Sequence, residues 1–162
     1  MIRRLSHLGI CVADLERSLR FYREGLGFRE VSALDLGGEP AATQLEQPEV
    51  SLRARYLERD GARIELLHFP APGTLGDGRP RPMNARGLTH LSFRVEGLDA
   101  ELARLVALGG AVLGATRVGS TGLGMQAVFL CDPDGTRIEL VEAPGDPDRL
   151  PGSGPRSGDG VK

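Results

Sequence analysis

The sequence predicts an α+β fold built from two tandem βαβββ modules. The first observation is a repeat at the start of each module. Residues 6–19 (SHLGICVADLERSL) align with residues 89–102 (THLSFRVEGLDAEL) at an offset of 83, with five of 14 positions identical. The second is a repeat at the end of each module. Residues 60–70 (DGARIELLHFP) align with residues 134–144 (DGTRIELVEAP) at an offset of 74, with seven of 11 identical. Matching ends in the same order mark a duplicated unit. The offsets differ by nine, so the first module carries a net insertion of nine residues. The third observation is the punctuation between and after the blocks. The stretch 70–86 is rich in Gly and Pro, and nine of the last 19 residues are Gly or Pro. The chain therefore divides into a first module (1–69), a linker (70–86), a second module (87–143) and a tail (144–162) expected to be disordered.

Each element follows from local pattern. Alternating apolar runs at 2–12 and 88–95 predict half-buried first strands. A helix follows in each module. Asp14 is the N-cap of the first, Leu15, Leu19 and Tyr22 share its inner face, and Gly25 or Gly27 stops it. Leu98, Leu102, Leu105 and Val106 line the second, which Gly109-Gly110 ends. Three strands complete each module, at 28–36, 50–58 and 62–69, then at 111–118, 125–131 and 136–142. Asp60-Gly61 and Asp132-Pro133-Asp134-Gly135 are the last turns. The insertion falls between Leu36 and Pro48.

Composition narrows the partners. The 162 residues have a formal net charge of -2, 40% apolar and 26% charged residues. That is a soluble globular profile without the basic footprint of a nucleic-acid or anionic-membrane binder. No apolar run is long enough to span a bilayer, and the N-terminal run breaks too early for a secretory leader. Two cysteines, Cys11 and Cys131, are too few for a disulfide framework. They are expected as buried, reduced thiols in a cytoplasmic protein.

The chemistry is expected where the repeats coincide. Two of the three histidines, His7 and His90, occupy the same repeat position, as do Glu65 and Glu139. Both glutamates sit in apolar strands, where a carboxylate is costly unless paired or ligating. Pseudo-twofold symmetry would gather two His and two Glu at one place. That set suits one divalent ion: Fe, Ni, Co, Zn or Mn. Side chains two apart on a strand share a face. Cys11 therefore lies with His7, Arg94 with His90, Arg63 and Leu67 with Glu65, and Arg137 and Val141 with Glu139. Cys11, Arg63, Leu67, Arg94 and Arg137 are the candidate substrate-binding residues. His68, three residues from Glu65, faces away.

These residues carry a resemblance. The chain is similar to the vicinal oxygen chelate superfamily of glyoxalase I, methylmalonyl-CoA epimerase, extradiol dioxygenases and bleomycin-resistance proteins. The motifs are His7-Leu-Gly-Ile-Cys-Val with Asp14-Leu15, Phe21-Tyr22 before Leu26-Gly27-Phe28, and Arg-Ile-Glu65-Leu-Leu. Thr89-His90-Leu-Ser-Phe-Arg-Val and Asp132-Pro-Asp-Gly-Thr-Arg-Ile-Glu139-Leu follow in the second half. The resemblance implies a cup-shaped, eight-stranded mixed sheet with the metal held by His7, Glu65, His90 and Glu139. It implies a homodimer acting on a small substrate that chelates the metal through oxygens. The first expected reaction is a glyoxalase I-like lyase or an epimerase. The metal stabilises an enediolate or enolate, and Glu65 and Glu139 are the catalytic carboxylates that move the proton. The alternatives are an Fe(II) dioxygenase using His7, His90 and Glu139 on an aromatic substrate, and a non-catalytic drug- or metabolite-binding protein. Retention of all four ligand positions argues against the last.

Overall fold

The structure, a computed structural model, describes residues 1–120 and 124–149. In the first module the elements are β1 (Leu8–Cys11), α1 (Leu15–Arg20), β2 (Arg29–Gly37), α2 (Glu39–Leu45), β3 (Ser51–Arg59) and β4 (Ala62–Ala71). The second has β5 (Leu91–Arg94), α3 (Leu98–Ala107), β6 (Ala111–Val112), β7 (Val118–Ser120), β8 (Met125–Cys131) and β9 (Arg137–Glu142). The α+β class and the duplicated order are as expected. The strands form two sheets, however, not one of eight. The first has the order β1-β4-β3-β2, and the second β5-β9-β8-β6 with β7 also on β8. β1 and β5 are edge strands of their sheets, and among the described residues no ladder joins them. Both are short and parallel to their neighbours, β4 and β9. The registers repeat: Gly9 pairs with Glu65 as Ser92 pairs with Glu139, and Tyr56 pairs with Glu65 as Phe129 pairs with Glu139.

The sheets are tied through the helices. Asp14 starts α1 by accepting from the Arg17 amide at 3.0 Å. One wider helical turn, Phe21–Gly25, continues it. Leu15, Leu19, Phe21 and Tyr22 then share one core with Leu98, Leu102 and Leu105, over Ile64 and Leu66 of β4 and Ile138 and Leu140 of β9. Gly25 permits the approach, because a Cβ there would lie 2.9 Å from the Leu105 Cδ2. Val106, expected on the apolar face of α3, is exposed, so the inward stripe is Leu98, Leu102 and Leu105 alone.

A polar network locks the contact. The Tyr22 hydroxyl, fully buried, donates to Asp132 Oδ2 at 2.9 Å. Asp132 Oδ1 accepts from the amides of Asp134 and Thr136. Arg17 and the Ser18 hydroxyl hold Asp134 at 2.7 and 3.0 Å. Burial pushes the Asp132 carboxyl above its ordinary pKa and the Tyr22 phenol well above its own.

Three segments depart from local expectation. The first strand begins only at Leu8. The run expected as one strand at 111–118 is split by a 3₁₀ turn, Gly114–Thr116. Thr116 Oγ1 donates to the Leu113 carbonyl and accepts from the Phe129 amide, which bends the chain away from β8. The insertion contains α2, started by Pro40 in its first turn. Ala41 of α2 seals a second cluster with Val50, Leu52 and Ala54, against which Leu67 packs. The linker beyond β4 carries no helix or strand, yet it docks on the β8–β9 turn. Of the tail, residues 144–149 lie against the body and 150–162 fall outside the described residues; Arg94 donates to the carbonyls of Ala143 and Pro144.

Candidate functional site

Strand parity places the four expected ligands as two His–Glu pairs, one per module. His7 Nε2 lies 3.2 Å from Glu65 Oε2, and His90 Nε2 lies 3.7 Å from Glu139 Oε2. The other ring nitrogen is engaged the same way in both. His7 Nδ1 is 3.1 Å from the Ser6 hydroxyl, and His90 Nδ1 is 2.9 Å from the Thr89 hydroxyl. An aromatic ring on the next strand packs edge-on against each imidazole at 5.2 Å, Tyr56 on His7 and Phe129 on His90. Each histidine is thus fixed at Nδ1 and by its ring, with Nε2 directed at a carboxylate. That is the arrangement of a metal-binding imidazole held by outer partners.

The pairs fit an ion. Two ligands at about 2.1 Å from a metal and at right angles are about 3.0 Å apart, close to the spacing within each pair. The chemistry also fits, two neutral imidazoles with two carboxylates. Among the described residues no group of three or more His, Cys, Asp or Glu comes together. The pairs lie one in each module, and a single ion held by all four residues would need both. β1 and β5 border the same two cavities.

The pairs differ in their supports. Tyr56 hydrogen-bonds Glu65, and that bond with partial burial pushes the Tyr56 phenol up to about 12. Glu65 is 9% exposed. In the second module Phe129 has no hydroxyl, and Ser92 instead donates to Glu139 Oε2 at 2.7 Å. Glu139 opens onto a cavity of about 980 Å³ with Val141, Arg63 and Arg94. The asymmetry traces to residue identity at equivalent register positions, Tyr56 against Phe129 and Gly9 against Ser92, while α2 of the insertion packs on Leu52, Ala54 and Leu67.

The candidate substrate-binding residues separate. Arg63 is spent on Glu58 at 2.6 Å, and Arg94 on the Ala143 carbonyl at 2.7 Å. Leu67 packs against the α2 cluster instead of lining a cavity. Cys11 is exposed, contrary to the expectation of a buried thiol, because β1 is a sheet edge; Cys131 is buried as expected. Cys11 and Arg137 line a cavity of about 450 Å³ with His90. His68 turns away from Glu65 toward the Val12 carbonyl, 3.3 Å from its Nδ1. Sequence reasoning missed Ser6, Thr89, Tyr56 and Ser92. The hydroxyl residue immediately before each repeated histidine was a visible signal; Tyr56 and Ser92 needed the strand register. It also missed Arg79 and Arg81 of the linker, which line the 450 Å³ cavity.

Comparison with known proteins gives a consistent result. Residues 4–140 match the model of the Glyoxalase/Bleomycin resistance protein/Dioxygenase superfamily. An ethylmalonyl-CoA/methylmalonyl-CoA epimerase of Cereibacter sphaeroides is 31% identical over 149 residues, covering 88% of this chain and 99% of that protein. A glyoxalase family protein from Bacillus cereus superposes with a TM-score of 0.74 at 24% identity, covering 89% of this chain and 97% of that one. The fosfomycin resistance protein FosX of Listeria monocytogenes, solved with Mn(II) and a sulfate ion, superposes at 0.53 with 18% identity over 89% and 95%. No helix among the described residues is long and apolar enough to cross a membrane.

Proposed function

The chain belongs to the glyoxalase/bleomycin resistance protein/dioxygenase superfamily, and from that premise we propose that it is a divalent-metal-dependent isomerase or lyase. Its substrate is a small molecule that presents two neighbouring oxygens. The observation that carries the proposal is the repeated pair, imidazole Nε2 facing carboxylate, with a hydroxyl on each Nδ1. His7, Glu65, His90 and Glu139 would hold the ion.

A bound divalent ion supplies Lewis acidity toward the substrate's oxygens and so acidifies the adjacent C–H. The remaining work belongs to the chain. Ser92 and His90 both address Oε2 of Glu139, which leaves Oε1 to take the proton from carbon. Glu65, on the other module and steadied by Tyr56, returns a proton from the opposite side. One C–H bond breaks and one forms, so the product is an isomer. Glu65 is 9% exposed, which limits loss of its proton to solvent.

The relative named for ethylmalonyl-CoA and methylmalonyl-CoA supplies the first substrate to try. The protein is purified without added metal, its metal is identified, and methylmalonyl-CoA is incubated with it in D2O. One bound ion per four-residue site, and deuterium entering carbon 2 only in the metal-loaded protein, support the proposal. No metal binding refutes it. Iron as the resident metal, together with O2 uptake on a catechol, refutes it in favour of a dioxygenase.

A further inference from the structure

We infer that the 450 Å³ cavity beside His90 is an oxyanion-binding site, in which Arg81 and Arg137 grip a carboxylate or phosphate group of the substrate. The inference deepens the proposed function, on which its assignment to the substrate rests. Arg137 and Glu139 share one face of β9, two residues apart, so Arg137 stands about 6.7 Å along the strand from the carboxylate that faces His90. Arg81 comes from the linker. The linker reaches this place because its backbone seats on the β8–β9 turn. Gly135 has φ +88, and a Cβ there would lie 2.4 Å from the Gly78 carbonyl oxygen, so only glycine admits the contact.

The two arginines are held in position. Arg137 Nε donates to the Arg81 carbonyl at 3.0 Å, and the Arg81 guanidinium donates to the Leu88 carbonyl at 2.7 Å. Each bond uses one of five guanidinium donors, and among the described residues neither arginine meets a carboxylate. One carboxylate, Asp134, also lines the cavity, and Arg17 and Ser18 already hold it. Arg79 adds a third positive charge at the mouth, 3.6 Å from the exposed Asp77. Positive charge with open donors, in a concave site next to the proposed ligands, matches the planar geometry of a carboxylate or the face of a phosphate. The inferred substrate therefore carries an anionic group within about 5–7 Å of the oxygens that approach His90 and Glu139.

The test uses the full chain stripped of metal, titrated with inorganic phosphate and, separately, with acetate, and followed by amide NMR shifts. The inference expects saturable shifts confined to 79–81, 88–90 and 134–137. Tighter binding of phosphate identifies a phosphate substrate, and tighter or equal binding of acetate a carboxylate. Arg81→Gln should weaken binding at least fivefold. Because Arg81 also holds Leu88, Arg79→Gln serves as the second variant; it holds no backbone and should weaken binding about twofold. Arg29→Gln, an exposed arginine outside both cavities, should change nothing. Absence of saturable shifts, or equal affinity in wild type and Arg81→Gln, overturns the anion site. That result leaves the metal proposal standing, since metal binding to the same protein is measured independently.

Discussion

Replacing Thr89 with valine tests which nitrogen of His90 is meant for a metal. The change keeps the β-branched shape at the mouth of β5 and removes the hydroxyl that sits 2.9 Å from Nδ1. A metal on Nε2 requires the proton on Nδ1, and the Thr89 oxygen accepts that proton. Without it the ring loses its preferred tautomer and part of its orientation. One hydrogen bond of this kind contributes about 1 kcal/mol, roughly a fivefold effect. Losses of outer partners at metal sites run from about 10-fold to 100-fold. His90 keeps 28% side-chain exposure, so water can replace part of the bond and the low end applies. Metal affinity should fall about tenfold. Competition against a chromophoric chelator, with Zn(II) or Co(II), measures it. Because Thr89 lies on the surface before the strand, the melting temperature should stay within about 2 °C. Affinity within twofold of wild type would refute the reasoning that Nε2 is the metal-facing nitrogen. Ser6→Ala should act equally on His7 through the 3.1 Å contact.

Other expectations follow from the same geometry. His90→Ala should abolish stoichiometric metal binding, and full occupancy in that variant would remove His90 from the site. The two tyrosines, Tyr22 and Tyr56, both have phenols raised above their ordinary value, so ultraviolet titration should show little tyrosinate at pH 10. A phenol pKa raised by folding stabilises the protein fully below the unfolded value of about 10 and is lost as pH rises to about 12. Alkaline melting should therefore steepen across that window, and Tyr56→Phe should flatten it; an unchanged slope contradicts the Glu65 hydrogen bond. Tyr22→Phe strips the buried Asp132 of one donor and should cost about 2 kcal/mol, or roughly 4–8 °C, in thermal denaturation. A loss under about 0.5 kcal/mol would mean that the network does not lock the modules. Mixing His7→Ala with His90→Ala after joint refolding should restore no metal binding, since β1 and β5 of one chain border the same cavities. Recovery to about a quarter of the wild-type capacity, one intact site in each mixed dimer, would show that sites form between chains.

Much of the site was legible because strand parity is a local property. His7 and His90, each one residue before a first strand, face Glu65 and Glu139 on the adjacent strand once the repeat fixes where each strand runs. The capping of α1 by Asp14 and its apolar face were equally local, set by spacing alone. The fate of the arginines was not. Arg63 and Arg137 share a repeat position, yet Arg63 meets Glu58 across β3 while Arg137 meets the linker backbone. Leu67 and Val141 likewise share a position, and only α2, the helix within the insertion, packs Leu67 away. By itself the sequence determined the duplicated module, the repeated His and Glu positions and the resemblance to the superfamily. The tertiary structure alone decided that the strands form two sheets, that α2 makes the modules unequal and that linker arginines join the cavity. The physical reason is range. Periodicity and capping act over a few residues, whereas edge pairing, helix coverage and loop docking depend on surfaces that exist only once distant segments have folded.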